Sequence, residues 1–224
     1  FGGGGSGYGV VVERYTSDCL VINNTLQRLR HALVAKEGAN GNVFAYNYTF
    51  EGKQDGAPIA KDVSIHGHYP FKNLFEGNVV EFIHCTDWWG PAGPGNTFFR
   101  NRVTRMPVLL DDRSHGQNVI GNELVGGGRE SGVLVIGTVL DTLLLGNVSE
   151  LTLSHELERL DTLELPASLW SRDRPDFWTE DLPWPAMGPP HQPGTHQIPA
   201  QAREPLEAAA PDHTPKKSEL QSST

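Results

Sequence analysis

Six short apolar runs along the chain each close on an asparagine, and the spacing of those asparagines restricts the possible architectures more than any other feature. Asn24, Asn47, Asn78, Asn101, Asn122 and Asn147 follow one another at steps of 23, 31, 23, 21 and 25 residues. A recurrence in that range means stacked structural repeats. The unit is too short for a helix pair and lacks the leucine frame of a horseshoe repeat. It suits one coil of an all-β parallel β-helix, three short strands with bends between them. An asparagine at the same bend of every coil can pass its side-chain amide to the next coil, about 4.8 Å away. Asparagine also tolerates the left-handed backbone that such bends demand. The spacing predicts five or six coils over residues 19–150, with the six asparagines in one column.

The 224 residues suffice for one sizeable domain, and 25 glycines suit a bend-rich solenoid. The formal charge of −9 argues against a nucleic-acid partner, because phosphate binding needs clustered Lys and Arg. No apolar run approaches 18 residues, so membrane insertion is not expected. The chain opens at Phe1 inside a glycine run, which suggests a fragment or processed product whose first coils lie elsewhere. Cys19 and Cys85 stand at different distances from their closing asparagines and read as unbridged, small, buried apolar residues. Asn23-Asn24-Thr25, Asn47-Tyr48-Thr49 and Asn147-Val148-Ser149 match the glycosylation sequon, but their place at the ladder favours a structural role.

Residues 1–165 read as the solenoid. The 31-residue step carries an insertion, about Glu51 to Asp62, expected to leave the stack as a loop, and Leu151 to Leu165 read as one more strand pair or an irregular cap. Residues 166–200 alternate proline with large aromatics, which cannot continue a ladder but can drape Trp170, Phe177, Trp178 and Trp184 over the end or side of the body. Residues 201–224 are proline-, charge- and alanine-rich and are expected to be a disordered tail.

Three strings carry a resemblance: Gly38-Ala39-Asn40-Gly41-Asn42-Val43-Phe44-Ala45-Tyr46-Asn47-Tyr48, His66-Gly67-His68-Tyr69-Pro70-Phe71-Lys72-Asn73-Leu74-Phe75-Glu76-Gly77-Asn78, and Gly90-Pro91-Ala92-Gly93-Pro94-Gly95-Asn96-Thr97-Phe98-Phe99-Arg100-Asn101-Arg102. With Leu182-Pro183-Trp184-Pro185 they resemble a group of secreted bacterial right-handed β-helix proteins of the pectate-lyase-like superfold, over about residues 8–200. The resemblance implies a right-handed coil, an extracellular location and carbohydrate as the usual ligand. Fold analogy alone does not give function.

Counting ten to fourteen residues back from each closing asparagine gives a second set of equivalent positions, where chemistry concentrates. They hold Lys36 and Glu37, then His66 and His68, then Asp87, Trp88 and Trp89, then Asp111, Asp112 and Arg113. Such a column covers about 15–20 Å of a solenoid, enough for a few sugar rings. Glycoside hydrolysis uses one acid and one base or nucleophile, roles open to Asp111 and Asp112 with Asp87 as partner. The bland reading makes Asp111-Asp112-Arg113 a turn with an internal ion pair. Polygalacturonases of the superfold also carry an Asp pair, but they follow it with Gly-His-Gly and a basic tripeptide. Here His66-Gly67-His68 precedes the pair, so those roles are not carried over. Pectate lyases use calcium-binding acids and an Arg or Lys base, for which Lys36, Arg100 and Arg113 are present.

His66 and His68, read as alternating on one strand, would face one way and could hold a divalent cation, with His84 or an aspartate nearby; calcium is a second candidate cofactor. Trp88 and Trp89 either close an apolar seam or offer flat faces to sugar. Arg100 and Arg102, beside the ladder, are expected in solvent or paired with acids of adjacent coils. The leading functional expectation is a secreted protein that binds an acidic or neutral polysaccharide, with cleavage of that ligand as a lyase or hydrolase left open. The competing class is a non-enzymatic adhesive or structural solenoid.

Overall fold

The computed structural model describes residues 7–53, 61–125, 132–149 and 163–203. The glycines before Gly7, the middle of the 31-residue step, most of Leu151–Leu165 and the tail beyond Arg203 lie outside the described residues.

The chain winds through six coils of three short strands. The first coil is β1 (Tyr8–Val12), β2 (Leu20–Ile22) and β3 (Thr25–Gln27); the second is β4 (His31–Lys36), β5 (Val43–Ala45) and β6 (Tyr48–Phe50). Then come β7 (Val63–His66), β8 (Leu74–Glu76) and β9 (Val79–Val80), followed by β10 (Ile83–Cys85), β11 (Thr97–Phe99) and β12 (Arg102–Val103). The last two coils are β13 (Val108–Leu110), β14 (Asn118–Ile120) and β15 (Glu123–Leu124), then β16 (Val133–Val135), β17 (Leu143–Leu145) and β18 (Val148–Ser149). Equivalent strands pair in parallel into three six-stranded sheets, β1-β4-β7-β10-β13-β16, β2-β5-β8-β11-β14-β17 and β3-β6-β9-β12-β15-β18. The fold is thus an all-β parallel solenoid.

Strands this short bury only one or two inward side chains each, so the core is a stack of like residues. Phe44, Phe75 and Phe98 are register partners in the second sheet, and all are fully buried. Their rings stack with centroids 4.6 and 5.5 Å apart, a spacing that adds dispersion to the burial of three aromatics.

The predicted column forms. The Nδ2 of Asn24, Asn47, Asn78, Asn101 and Asn122 each donates to Oδ1 of the next member at 2.9–3.0 Å. That Oδ1 also accepts the preceding member's backbone N–H. The left-handed residue, however, is the one before each ladder asparagine: Asn23, Tyr46, Gly77, Arg100, Gly121 and Gly146 have φ of 50–63°. The ladder asparagine is thereby released to aim its amide along the stack. A second ladder runs at the other end of the second sheet, from Asn42 to Asn73 to Asn96 to Gln117 at 2.9–3.1 Å. Of the sequon asparagines, Asn47 is fully buried and Asn147 is held in the ladder, while Asn23 adjoins the ladder, half-buried, with its Oδ1 accepting from Arg203 Nη1. Both cysteines are free, as expected; Cys85 is buried in the core, whereas Cys19 is only partly buried.

The proline- and aromatic-rich segment runs as a strap along the corner between the second and third sheets, not over an end of the stack. Tyr46 and Arg100 accept the strained left-handed backbone because their side chains hold this strap, while glycine is required at the alternate corners. A Cβ on Gly77 would lie 2.4 Å from the Tyr46 ring, and one on Gly121 2.7 Å from Leu165. Tyr46 meets Trp178 edge-on at 5.0 Å, and its hydroxyl donates to Glu76 Oε1 at 2.9 Å. Arg100 is buried and donates to the carbonyls of Leu165, Pro166, Met187 and Pro189, instead of lying in solvent. Arg102 pairs with Glu123 of the next coil at 2.6 Å, as expected, and also reaches the His196 carbonyl. The strap ends in a single turn of helix α1 (Pro199–Ala202), where Ala200 accepts from Thr25 of the first coil. No helix among the described residues is long and apolar enough to cross a membrane.

Candidate functional site

The residues expected to carry chemistry fall at the ends of the first-sheet strands (Lys36, His66) and in the bends that lead from there to the second sheet, and these bends are stacked. The N–H of Glu37 donates to the Gly67 carbonyl, that of Gly67 to Trp88, that of His68 to Trp89 and that of Arg113 to Thr138. The fourth-coil bend, from Thr86 to Asn96, is longer than its neighbours, and its excess length carries the two indoles outward. Trp88 and Trp89 are 67% and 72% exposed and meet edge to face at 6.2 Å. They close no apolar seam.

Beside the indoles, on the outer face of the first sheet, lies a groove of about 210 Å³. Alternation along the strands places Ser64, His66 and Thr86 on its floor, the outward positions between the core residues Val63, Ile65 and Cys85. Trp88 and Trp89 form one wall; Tyr8 and His31, the first residues of β1 and β4, with Arg30 and Lys61 from the bends that lead into the first sheet, form the other. The volume is below the ~300–1,000 Å³ of enclosed ligand sites. It suits one ring of a longer ligand lying on an open surface.

The imidazoles of the groove are neutral near pH 7. Burial pushes His31 down to about 4, aided by the nearby Arg30 and Lys61 charges. His31 Nδ1 lies 2.8 Å from the Lys61 carbonyl, which can only accept, so Nδ1 carries the proton and Nε2 is a bare acceptor. Burial likewise takes His66 to about 4, with His31 adding to the effect; their ring centroids are 6.1 Å apart. His66 Nδ1 shares a 3.0 Å hydrogen bond with the Ser64 hydroxyl. His84, on the same outer face, is lowered by burial and donates from Nε2 to Asp111 Oδ2 at 2.8 Å.

The structure separates the expected site residues into groups. His66, Trp88 and Trp89 come together in the groove. His68 does not join them: after Gly67 the backbone turns with positive φ at both residues, and the His68 side chain is exposed on the bend. The expected alternation of His66 and His68 along one strand fails because β7 ends at His66. Lys36 and Glu37 belong to a surface ion cluster with Glu13 and Arg14 of the first coil, and Lys36 is raised chiefly by its hydrogen bond to Glu13. Arg113 bridges Asp112 at 3.3 Å and Asp87 at 3.8 Å, and Asp112 also caps the Thr138 N–H. Each of the three candidate aspartates therefore already has a partner. No cluster of three or more His, Cys, Asp or Glu side chains suited to a metal ion occurs among the described residues.

Tyr8, Arg30, His31, Lys61, Ser64 and Thr86 were not among the expected site residues. A signal for two of them was present, since Arg30 and Lys61 each stand 17 residues before a closing asparagine, Asn47 and Asn78. Comparison with protein-family models, curated proteins and solved structures returned no match to this chain. The functional reading accordingly rests on the geometry of the groove.

Proposed function

We propose that the protein is an extracellular carbohydrate-binding solenoid that seats a polysaccharide across the outer face of the first sheet and cleaves it by a lyase route. The observation that carries this reading is the pair of exposed indoles standing over a polar groove. Two adjacent exposed indoles make a contiguous aromatic patch of the kind that marks an interaction site, and a pyranose ring offers a matching apolar face with hydroxyls at its rim. Ser64, Thr86 and the imidazole nitrogens supply the hydrogen bonds that orient such a ring. The secreted location follows from the resemblance of the three Asn-rich strings.

Between the two cleavage routes, the occupied aspartates favour elimination. Hydrolysis asks for two carboxyl groups flanking the bond, one of them protonated. Here Asp111 is held by His84, and Asp87 and Asp112 by Arg113. Elimination asks instead for a neutral base within reach of a sugar proton and for cations beside the developing charge. His66 is unprotonated in the groove, and Arg30 and Lys61 stand across from the indoles. In this scheme His66 takes the ring proton, the cations stabilise the carbanion, and the C–O bond at the neighbouring carbon breaks with its electron pair on the glycosidic oxygen, which takes a proton from solvent, to give an unsaturated sugar.

The test is a glycan array followed by product analysis on each hit. Binding lost in Trp88→Ala or Trp89→Ala, with products that show the ultraviolet absorbance of an unsaturated uronate, supports the scheme. Binding without cleavage moves the protein to the non-enzymatic adhesive class, and binding indifferent to both tryptophans removes the groove from the account.

A further inference from the structure

Among the described residues, Arg30 and Lys61 differ from the other buried or half-buried cations. Lys36 pairs with Glu13, Arg102 with Glu123 and Arg105 with Glu81, while Arg100 is satisfied by four carbonyls. Neither Arg30 nor Lys61 has a carboxylate partner among the described residues. This occurs in a chain with 27 acidic and 18 basic side chains, where partners are plentiful. The Arg30 Nε is buried without a hydrogen-bond acceptor, and its guanidinium rests on the Tyr8 ring with 5.8 Å between Cζ and the centroid. Lys61 is half-buried beside it, its ammonium disfavoured first by burial, favoured next by the Asp111 charge, which makes no ion pair with it, and disfavoured again by Arg30. The intervening His31 is neutral and adds no negative charge. Two like charges held together and partly out of water, with a donor left unpaired, are costly to the free protein. An oxyanion between them would remove that cost and accept both donors.

We propose that Arg30 and Lys61 form an anion subsite that recognises a carboxylate or sulfate substituent of the bound sugar while its ring lies toward Trp88 and Trp89. The inference rests on the saccharide reading above and adds to it the two residues that select the anionic substituent. Carboxylate and sulfate share the chemistry that matters here, oxygens carrying negative charge at hydrogen-bond distance from a guanidinium and an ammonium. The Tyr8 ring holds the guanidinium plane, and the fixed fork of Arg30 supplies the direction.

The experiment is isothermal titration of the full chain, wild type, Arg30→Gln and Lys61→Gln, with four probes: an oligouronate, a sulfated oligosaccharide, a neutral oligosaccharide of equal length, and inorganic sulfate. Both positions lie on the surface side of the sheet, and circular dichroism checks that the variants fold. The expected result is that each substitution weakens at least one anionic oligosaccharide by about 10- to 100-fold, the loss of one charged hydrogen bond, and leaves any neutral binding unchanged. The arm that responds, uronate or sulfated sugar, identifies the substituent. Sulfate bound by wild type and lost in Arg30→Gln, with no oligosaccharide bound, would keep the anion subsite and overturn the saccharide reading. Equal affinity for anionic and neutral sugars in all three proteins, or no binding of any probe, would overturn the subsite.

Discussion

Replacing Asn78 with alanine should be among the most damaging single changes to this fold. Asn78 is fully buried. Its Oδ1 accepts from the backbone N–H and Nδ2 of Asn47, both at 2.9 Å, and its Nδ2 donates to Asn101 Oδ1 and the Phe44 carbonyl, also at 2.9 Å. Alanine would leave the Asn47 N–H, one Asn47 Nδ2 hydrogen and the Phe44 carbonyl without these partners, while Asn101 Oδ1 would keep the Asn78 N–H. At about 1–3 kcal/mol for each of these three orphaned buried groups, the cost is roughly 3–9 kcal/mol, a large share of the ~5–15 kcal/mol that holds a typical domain together. Asn24→Ala is the internal control. Asn24 stands in the first coil, only partly buried, and Asn47 Oδ1 would keep the Asn24 N–H, so its loss should cost about 1 kcal/mol. Urea unfolding read by far-UV circular dichroism and tryptophan fluorescence measures both. Equal costs at the two positions, or a cost under about 1 kcal/mol at Asn78, would refute the ladder as a stabilising device.

Three further outcomes follow from the same contacts. Deleting the strap by truncation after residue 165 should lower the melting temperature and promote aggregation, because Glu76, Arg100 and Glu123 are buried beneath it and would lose its partners; unchanged melting and solubility would show that the strap is dispensable. His31 and His66 titrate near 4 when folded and near 6.5 when unfolded, so their contribution is intact above pH 6.5 and is lost as pH falls toward 4. The doubly substituted His31→Gln, His66→Gln protein should therefore gain on the wild type across that window, as read by unfolding midpoints at successive pH values; a constant difference contradicts the buried neutral imidazoles. Asp62 runs the other way: burial raises it to about 7, so its contribution is present below about pH 4 and is lost as pH rises toward 7. Asp62→Asn should gain on the wild type between those values, while Thr49 and the Glu81 N–H keep an acceptor.

The repeat was legible because a ladder leaves one residue type at one interval, and that interval survives an insertion elsewhere in the coil. The second ladder was partly visible in the asparagines that open the same runs. Its fifth-coil member is Gln117, however, and the neighbouring Asn118 turns outward to Thr97. The strap's position was not legible, since proline and tryptophan spacing says that a segment cannot pair but not which surface it covers. Tyr46 and Arg100, large residues at left-handed corners, mark that surface only once the corner is known. The column of bends was found by counting back from the ladder, and so Trp88, Trp89 and His66 were found. That count reaches one end of each first-sheet strand, whereas the groove also uses the opposite ends, where Arg30, His31 and Lys61 sit. His68 was misplaced because a glycine at the strand terminus turned the chain where alternation was assumed to continue.

The central claim is that a sugar lies on the outer face of the first sheet between the indoles and the unpaired cations. A crystal structure of the protein with the tightest-binding oligosaccharide tests it most directly. The account predicts a pyranose ring against Trp88 or Trp89, over His66 and Thr86, with its anionic substituent within hydrogen-bond distance of the Arg30 guanidinium or the Lys61 ammonium. Sugar seated on another face of the solenoid, or in the groove with its charge turned away from both cations, would contradict it.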